Sequence, residues 1–502
     1  MATGYMHERT QECMHRSSPA GPPCGRIHRR TFLADVGFGV AGLALGSLLG
    51  REALARELPG QPHFTPRAKS VIWIFLSGGY SHLETFDPKP ALNRHAGKTY
   101  ADTGLGDPQK SPLFRERSRS VVGIDREVYS RLMPLQVGYK KHGQSGIEVS
   151  DWLPNIAACV DDIAFVRSMY TTDNDHNAEF QMHHGRHSLD ERQPVIGSWI
   201  HYGLGSLNEN LPQFVFLGQF TDTRVKQNFD ADYLGPAYGG VQLALEEKSA
   251  LPFAARSSSV LEREQANEFE YLSEMNRLAA VEYPKDAKLR ARIRSYELAF
   301  RMQMSVPDAL ALETEPQETQ RLYGIDSDVT AIYGRRLLAA RRLAERGVRF
   351  TLVYLSDYGE WDSHQDLKNL HARSCARVDK PVAGLLKDLK RRGLTKDVLV
   401  VFCTEFGRTP AVQDGRFAPA ATGRDHHPHG FTVWLSGAGV KGGVVHGATD
   451  ELGFHAVEHP HYVTDLHATV LQALGLDPRR LDVPGRKRLE IDYGRPIGEI
   501  LA

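Results

Sequence analysis

Several absences narrow the chain's function before any motif does. Lys+Arg and Asp+Glu both number 61, so no global field attracts nucleic acid or an acidic membrane surface. There is no P-loop and no G-x-S-x-G nucleophile elbow, which excludes the usual phosphate cradle and the usual serine hydrolase. The stretch "GAGVKGG" matches G-x-G-x-x-G through Gly437, Gly439 and Gly442, but "VVHGATDELG" follows where a dinucleotide fold needs a helix, so it reads as a turn. Cysteine is scarce. Of five, Cys13 and Cys24 lie near the N-terminus, and Cys159, Cys375 and Cys403 are too scattered for a disulfide framework.

Long hydrophobic runs are also missing, with one short exception at the start. Arg29-Arg30-Thr31-Phe32-Leu33 precedes a Gly/Ala/Leu run from Val36 to Gly50, too short to span a bilayer with ease, and Ala53-Leu54-Ala55 supplies an A-x-A cleavage pattern. Residues 1–55 therefore read as a twin-arginine export signal. They imply a periplasmic or extracellular protein that meets the twin-arginine translocase already folded and keeps no stable membrane span after cleavage. A buried helix or a membrane anchor is the competing reading. Residues 56–502 suffice for one large α/β domain or two ordinary ones.

What the chain does have is histidine in clusters. Of 22, only His7, His15 and His28 fall in the signal. Short β-rich runs at Ser70 to Leu76, Ile163 to Met169, Phe214 to Leu217, Val348 to Leu355, Val398 to Cys403 and Thr432 to Leu435 alternate with helical patterns. This predicts a mostly parallel sheet covered on both faces. A helical insertion is expected at about 255–347, with Ser259 and Glu262 as a capping box and Leu289, Ile293, Tyr296 and Phe300 on one face. Residues 90 to 150, rich in Gly, Pro and charge, read as an excursion over the surface.

The polar residues fall after the strands. "VIWIFL" leads into "SGGYSHLETFDPKP", "IAFVRSM" into "YTTDNDHNAEFQMHHGR", "VRFTLVYL" into "SDYGEWDSHQDL" and "VLVVFC" into "TEFGRTP". In an open parallel sheet these loops share one edge, where ligands bind. His82, Asp87, Asp175, His176, Asp362, His364, Glu405 and Arg408 are thereby expected around one crevice. "GRDHHPHG" precedes a strand and must arch back to reach it, and Pro428 argues against a helix there. Such ligands suit zinc, manganese or iron. Each residue also has a structural reading: Asp362 capping the turn after Gly359, His364 on a loop carbonyl, Asp425 paired with Arg424, Arg408 paired with Glu405. His183, His184 and His187 fit a helix with His187 at the surface, and His446, His455, His459, His461 and His467 read as mostly structural.

"FLSGGYSHLETFDPKP", "GEWDSH", "TEFGRTP", "GRDHHPHGFTVWLSGAGVKGG" and "YVTDLHATVLQALGLDPRRL" behind a twin-arginine signal resemble the bacterial family called domain of unknown function 1501. That family is similar to the alkaline phosphatase and sulfatase superfamily. The resemblance implies a three-layer α/β/α sandwich with a mostly parallel central sheet, a single domain over 56–502, and a metal site at the strand ends. It sets "TEFGRTP" where the superfamily carries an Asp-His pair and "DHHPHG" where it carries a later histidine ligand. The chain departs from that pattern at Phe406, which cannot replace a histidine, and at Ser77-Gly78-Gly79, where a metal-binding aspartate is expected. None of Cys159, Cys375 and Cys403 sits in a C/S-x-P-x-R motif, which disfavours ordinary sulfatase chemistry.

The expectation is an exported, metal-dependent hydrolase of phosphate or related esters, small or polymeric. Asp362, His364, Asp425, His427 and His429 are the expected ligands, Glu405 a ligand or general base, and Arg408 the anion clamp. Thr172, Ser81 or Thr404 would be the nucleophile unless water serves, and His82, Asp87 and His176 would contact substrate. The rival is a non-catalytic binding or scaffold protein of the cell envelope.

Overall fold

Ser70–Phe75 reads SVIWIF, a run of β-branched and aromatic residues with no polar face, and such a strand is stable only where both faces are covered. In the computed structural model it occupies the middle of a nine-stranded sheet. The structure describes residues 60–119, 129–219, 225–245, 262–282, 305–413 and 422–502, with a few positions between 293 and 302. The expected export signal, Ser259, Leu289 and Tyr296 lie outside the described residues.

The strands in chain order are β1 (Ser70–Phe75), β2 (Tyr139–His142), β3 (Ile147–Ser150), β4 (Ile163–Tyr170), β5 (Phe214–Leu217), β6 (Val241–Leu243), β7 (Phe350–Tyr354) and β8 (Val398–Cys403). They continue with β9 (Gly407–Val412), β10 (Arg424–His427), β11 (Phe431–Ser436), β12 (Val444–His446), β13 (Ala448–Thr449), β14 (Ala456–Glu458) and β15 (His461–Tyr462). The main sheet runs β12-β4-β11-β8-β1-β7-β5-β6, with β15 also paired to β4. Each of the six strands expected from the sequence is present.

The alternation along β1 divides the core. Ile72 and Ile74 pack with Leu337, Leu338 and Leu343 of the Ala331–Glu345 helix and with Val378, Val382 and Leu385 of the Leu367–Arg391 helix. Val71, Trp73 and Phe75 face Ile196 and Ile200 of the Ile196–Leu204 helix and Leu466 and Val470 of the Val463–Ala473 helix. The result is a three-layer α/β/α sandwich within one compact unit, Pro59–Ala502. Among the described residues no helix is long and apolar enough to cross a membrane.

Two expectations need correction. The stretch from 90 to 150 is not a surface excursion throughout: Tyr100, Tyr129 and Leu132 form a small apolar cluster with Leu83, Ala411, Leu452 and Phe454, and Ile147 and Val149 of β3 join the main core. The loop 424–430 does not arch back either. β11 runs antiparallel to both β4 and β8 while every other pairing in the sheet is parallel. Its first residue, Phe431, therefore sits opposite Met169 near the carboxyl end of β4. A strand entered from the opposite direction begins where its neighbours finish, so the loop before it already lies at the ligand-binding edge.

That edge is packed backbone to backbone. Gly78 takes φ +114°, and a Cβ there would meet the amide nitrogens of Trp361 and Asp362 at 2.6 Å. Neither backbone nitrogen can yield without moving the loop that carries Asp362. Gly78→Ala is expected to destabilise the fold by about 2–4 kcal/mol, adding backbone strain to overpacking, as read from the urea midpoint.

Candidate active site

Four connections converge at the carboxyl edge. The loop after β4 carries His176 just ahead of the Ala178–His184 helix, and the loop after β7 carries Asp362 and His364. Glu405 follows β8, and the β9–β10 hairpin carries Arg408, Asp425 and His426. Ligand-capable atoms of His176, Asp362 and His426 lie within 4.8 Å of one another, as do those of His364, Asp425 and His426.

The orientation of two imidazoles is informative. Nδ1–H of His426 donates to the carbonyl of Asn174 at 2.8 Å, which fixes the tautomer and turns Nε2 toward Asp362 Oδ1 at 3.0 Å. Nδ1–H of His364 donates to Gln413 Oε1, and its Nε2 lies 2.8 Å from the same Asp362 oxygen. The two Nε2 atoms are 3.1 Å apart. Burial holds the His426 pKa well below its ordinary value, so that ring is neutral and its Nε2 carries a lone pair. Two imidazole nitrogens converging on one carboxylate oxygen can share a proton or a metal cation. A donor set of imidazole and carboxylate, with each ring anchored through its far nitrogen, fits one divalent ion of the zinc, manganese or iron type.

His176 lies one layer deeper. Its Nε2–H faces Asp362 Oδ2 and its Nδ1–H faces Glu405 Oε1, both at 3.1 Å. Burial alone would lower its pKa, but the two carboxylates outweigh burial and push it up to about 10. Burial also acts against the Asp362 carboxylate, yet Arg408 prevails and holds that group well below the usual carboxylate range. Beneath both lies Glu179, which the sequence reading did not single out. Its carboxyl is buried, meets Ser77 Oγ, and accepts from Tyr354 Oη at 3.0 Å and Asn228 Nδ2 at 3.2 Å. Burial, then the nearby Glu405, raises its pKa to about 8. The one sequence signal for Glu179 is its position three residues beyond His176 at the start of a helix.

The expected site thus divides. Asp362, His364, Asp425, His176, Glu405 and Arg408 are brought together, and His426 joins them. Glu405 is fully buried behind His176, with Oε1 also accepting from the Gly78 amide at 2.7 Å. Arg408 is not placed to clamp an anion. Its guanidinium is buried on Asp362 Oδ1 at 2.7 Å and on the carbonyls of Gly78, Gly79, Trp361 and Arg424.

His427 and His429 stand apart from this cluster. In a strand neighbouring side chains point to opposite faces, so only one of His426 and His427 can reach Asp362. His427 instead donates Nε2–H to the Phe454 carbonyl at 2.5 Å and stacks on His82, whose Nε2–H donates to the Gly453 carbonyl at 2.9 Å. His429 lies between Phe114 and Phe454. Asp87 is buried with Lys89 and Arg167, away from the crevice. Thr172 Oγ1 accepts from Gln181 at 2.7 Å, Ser81 Oγ donates to Glu84, and Thr404 Oγ1 donates to the Leu76 carbonyl. His187 is buried rather than exposed, on the Arg119 carbonyl. Cys159, Cys375 and Cys403 are all buried thiols.

Comparison with known proteins places this geometry among others. No curated protein matches the chain. Solved structures similar to it include the phosphonate monoester hydrolase SpPMH from Silicibacter pomeroyi, at 14% identity and TM-score 0.35, covering 86% of this chain and 76% of that one. The PsFucS1 sulfatase from Pseudoalteromonas sp. gives 12% identity and TM-score 0.36, covering 92% and 75%. The C-terminal periplasmic domain of EcEptC from Escherichia coli, solved in complex with Zn, gives 9% and 0.32, covering 88% and 99%. The family model "Protein of unknown function (DUF1501)" matches residues 68–501, and the chain belongs to that family.

Proposed function

We propose that the protein is an exported, metal-dependent hydrolase of phosphate or related esters. The observation that carries this reading is the pair of anchored imidazoles, His364 and His426, whose Nε2 atoms meet at one oxygen of Asp362. Asp362, His426 and His364 would hold the ion, with Asp425 and His176 beside them. When bound, such an ion polarises a phosphoryl oxygen and makes a water acidic enough to attack it. The protein's own groups prepare the site: Asn174 and Gln413 orient the rings, and Arg408 holds the Asp362 loop. His176 retains a proton between Asp362 and Glu405. Side-chain exposure falls from 31% at His364 and 24% at Asp362 to none at Glu405, so the mouth admits a ligand and the floor stays dry.

One observation favours the rival reading, a binding or scaffold protein of the envelope. Arg408 spends its donors on backbone and Asp362, and the hydroxyls of Thr172, Ser81 and Thr404 are already bonded. Neither the expected anion clamp nor an activated hydroxyl nucleophile is in place. Hydrolysis at this site therefore rests on water.

The metal assignment is tested by the adjacent histidines. His426→Ala should release the ion that copurifies with wild-type protein and lower the melting temperature, because whatever binds only the folded state stabilises it. His427→Ala should cost packing stability and retain the ion. Elemental analysis of chelator-free protein checks both, and wild-type protein that neither carries nor takes up zinc, manganese or iron overturns the assignment.

The metal-free protein has its own pH signature. His176 has a folded-state pKa raised from 6.5 to about 10, so its contribution to stability is full below pH 6.5 and is lost as pH rises toward 10. The melting temperature of chelator-treated wild type should fall across that window, and His176→Gln should flatten the fall. Export is tested separately: Arg29→Lys with Arg30→Lys should leave the chain in the cytoplasm, whereas wild type should appear outside it with an N-terminus close to Arg56.

A further inference from the structure

The outer side of β4 is covered by two short strands laid end to end. β12 pairs with it over Ala164 to Val166, and β15 over Met169 and Tyr170. Between them the chain leaves for residues 447–460, which form the β13–β14 hairpin and supply the carbonyls of Gly453 and Phe454 to His82 and His427. The break in this edge is flanked by imidazoles. His446 is the last residue of β12 and His461 the first of β15, and their Nε2 atoms lie 2.9 Å apart.

We propose that His446 and His461 supply the protein ligands of a second cation site, for a divalent transition ion of the zinc class, that staples this broken edge. Nδ1–H of His461 donates to Asp465 Oδ2 at 2.9 Å. That carboxylate fixes the tautomer, so the His461 Nε2 facing His446 carries a lone pair, as in a carboxylate-histidine-metal arrangement. Two facing nitrogens share either one proton or one cation. Zinc bonds of about 2.0–2.1 Å at a tetrahedral angle set two nitrogens roughly 3.3 Å apart, so an ion needs the rings to part by only about 0.4 Å.

A further imidazole, His459, stacks beside the pair without completing a three-ligand group. His459 adopts φ +46°, a conformation costly for any residue with a Cβ, and its ring stacks on His446 with centroids 5.2 Å apart. The Ser168 hydroxyl, from the uncovered part of β4, donates to the His459 carbonyl at 2.7 Å and pins that turn. His446 is 9% exposed and His459 lies at the surface, so an ion has access. The site is built from residues outside the carboxyl-edge cluster and is independent of its chemistry.

The test uses full-length protein stripped by chelator and dialysed against micromolar zinc, with zinc per chain measured by elemental analysis. His446→Ala and His461→Ala should each take up one ion fewer than wild type. Asp465→Asn, which keeps both imidazoles, should weaken that ion's binding by about 10- to 100-fold. Crystals of wild type soaked in zinc should show an anomalous peak between His446 and His461, a readout that does not depend on the variants folding. Unchanged uptake in both alanine variants, uptake only at millimolar zinc, or no peak at that position overturns the proposal. If His426→Ala loses no ion while His461→Ala does, the carboxyl-edge reading fails and the staple stands.

Discussion

The geometry of the carboxyl edge hangs on the guanidinium of Arg408. Loops leaving β1 and β7 and the β9–β10 hairpin all meet there, and each arrives with backbone carbonyls that the sheet does not satisfy. An apolar side chain at that point would fill the volume and leave those carbonyls unpaired. Arg408 instead reaches the carbonyls of Gly78, Gly79, Trp361 and Arg424 and ends on Asp362. Arg424 repeats the device one layer out, buried on Glu84 Oε1 at 2.8 Å and on the carbonyls of Thr409, Pro410, Met133 and Pro134. Removing one partner from such a buried charge pair costs about 3–5 kcal/mol, chiefly because the other is left uncompensated. Both arginines are therefore framework that joins these loops.

Charge balance then explains the protonation pattern above that framework. Asp362 at the mouth and Glu405 in the dry floor bring two carboxylates together, and Arg408 bonds only Asp362. The second cation is the proton on His176, held between Asp362 and Glu405. Glu179, next in line beneath them, cannot find a third cation and keeps its proton. An ion arriving at Asp362 would supply charge from the solvent side, and the His176 proton would become the one that the floor can release. Metal uptake there would be linked to proton loss through a single carboxylate.

Much of this was legible in the sequence, for identifiable reasons. Continuous apolar runs such as SVIWIF and VLVVFC have one stable context, a strand covered on both faces, and six of them fixed the layers. The rule that ligands gather at the carboxyl edge then brought His176, Asp362, His364, Glu405 and Arg408 together. The direction of β11 was not legible, because a hydrophobic strand reads the same in a parallel or antiparallel register. With that direction unknown, "DHHPHG" reads as a loop, and His427 and His429 are expected beside Asp425 as ligands. As a strand running 424–427 it must split its imidazoles, with His426 to one face and His427 to the other.

Histidine count alone could not have separated these roles, because the deciding variable is which ring nitrogen is tied down. His82, His427, His455 and His467 each give Nε2–H to a backbone carbonyl, of Gly453, Phe454, Pro108 and Met182. Burial lowers the pKa of all four, so each is neutral with one proton to donate, and that proton is already spent on a backbone carbonyl. His364, His426 and His461 are tied through Nδ1 instead, to Gln413, Asn174 and Asp465, and their Nε2 atoms face other nitrogens or a carboxylate. The first arrangement is complete within the protein. The second brings ring nitrogens face to face, where a proton or a metal ion can be shared, so the same side chain is mortar in one part of this edge and a candidate seat for an ion in another.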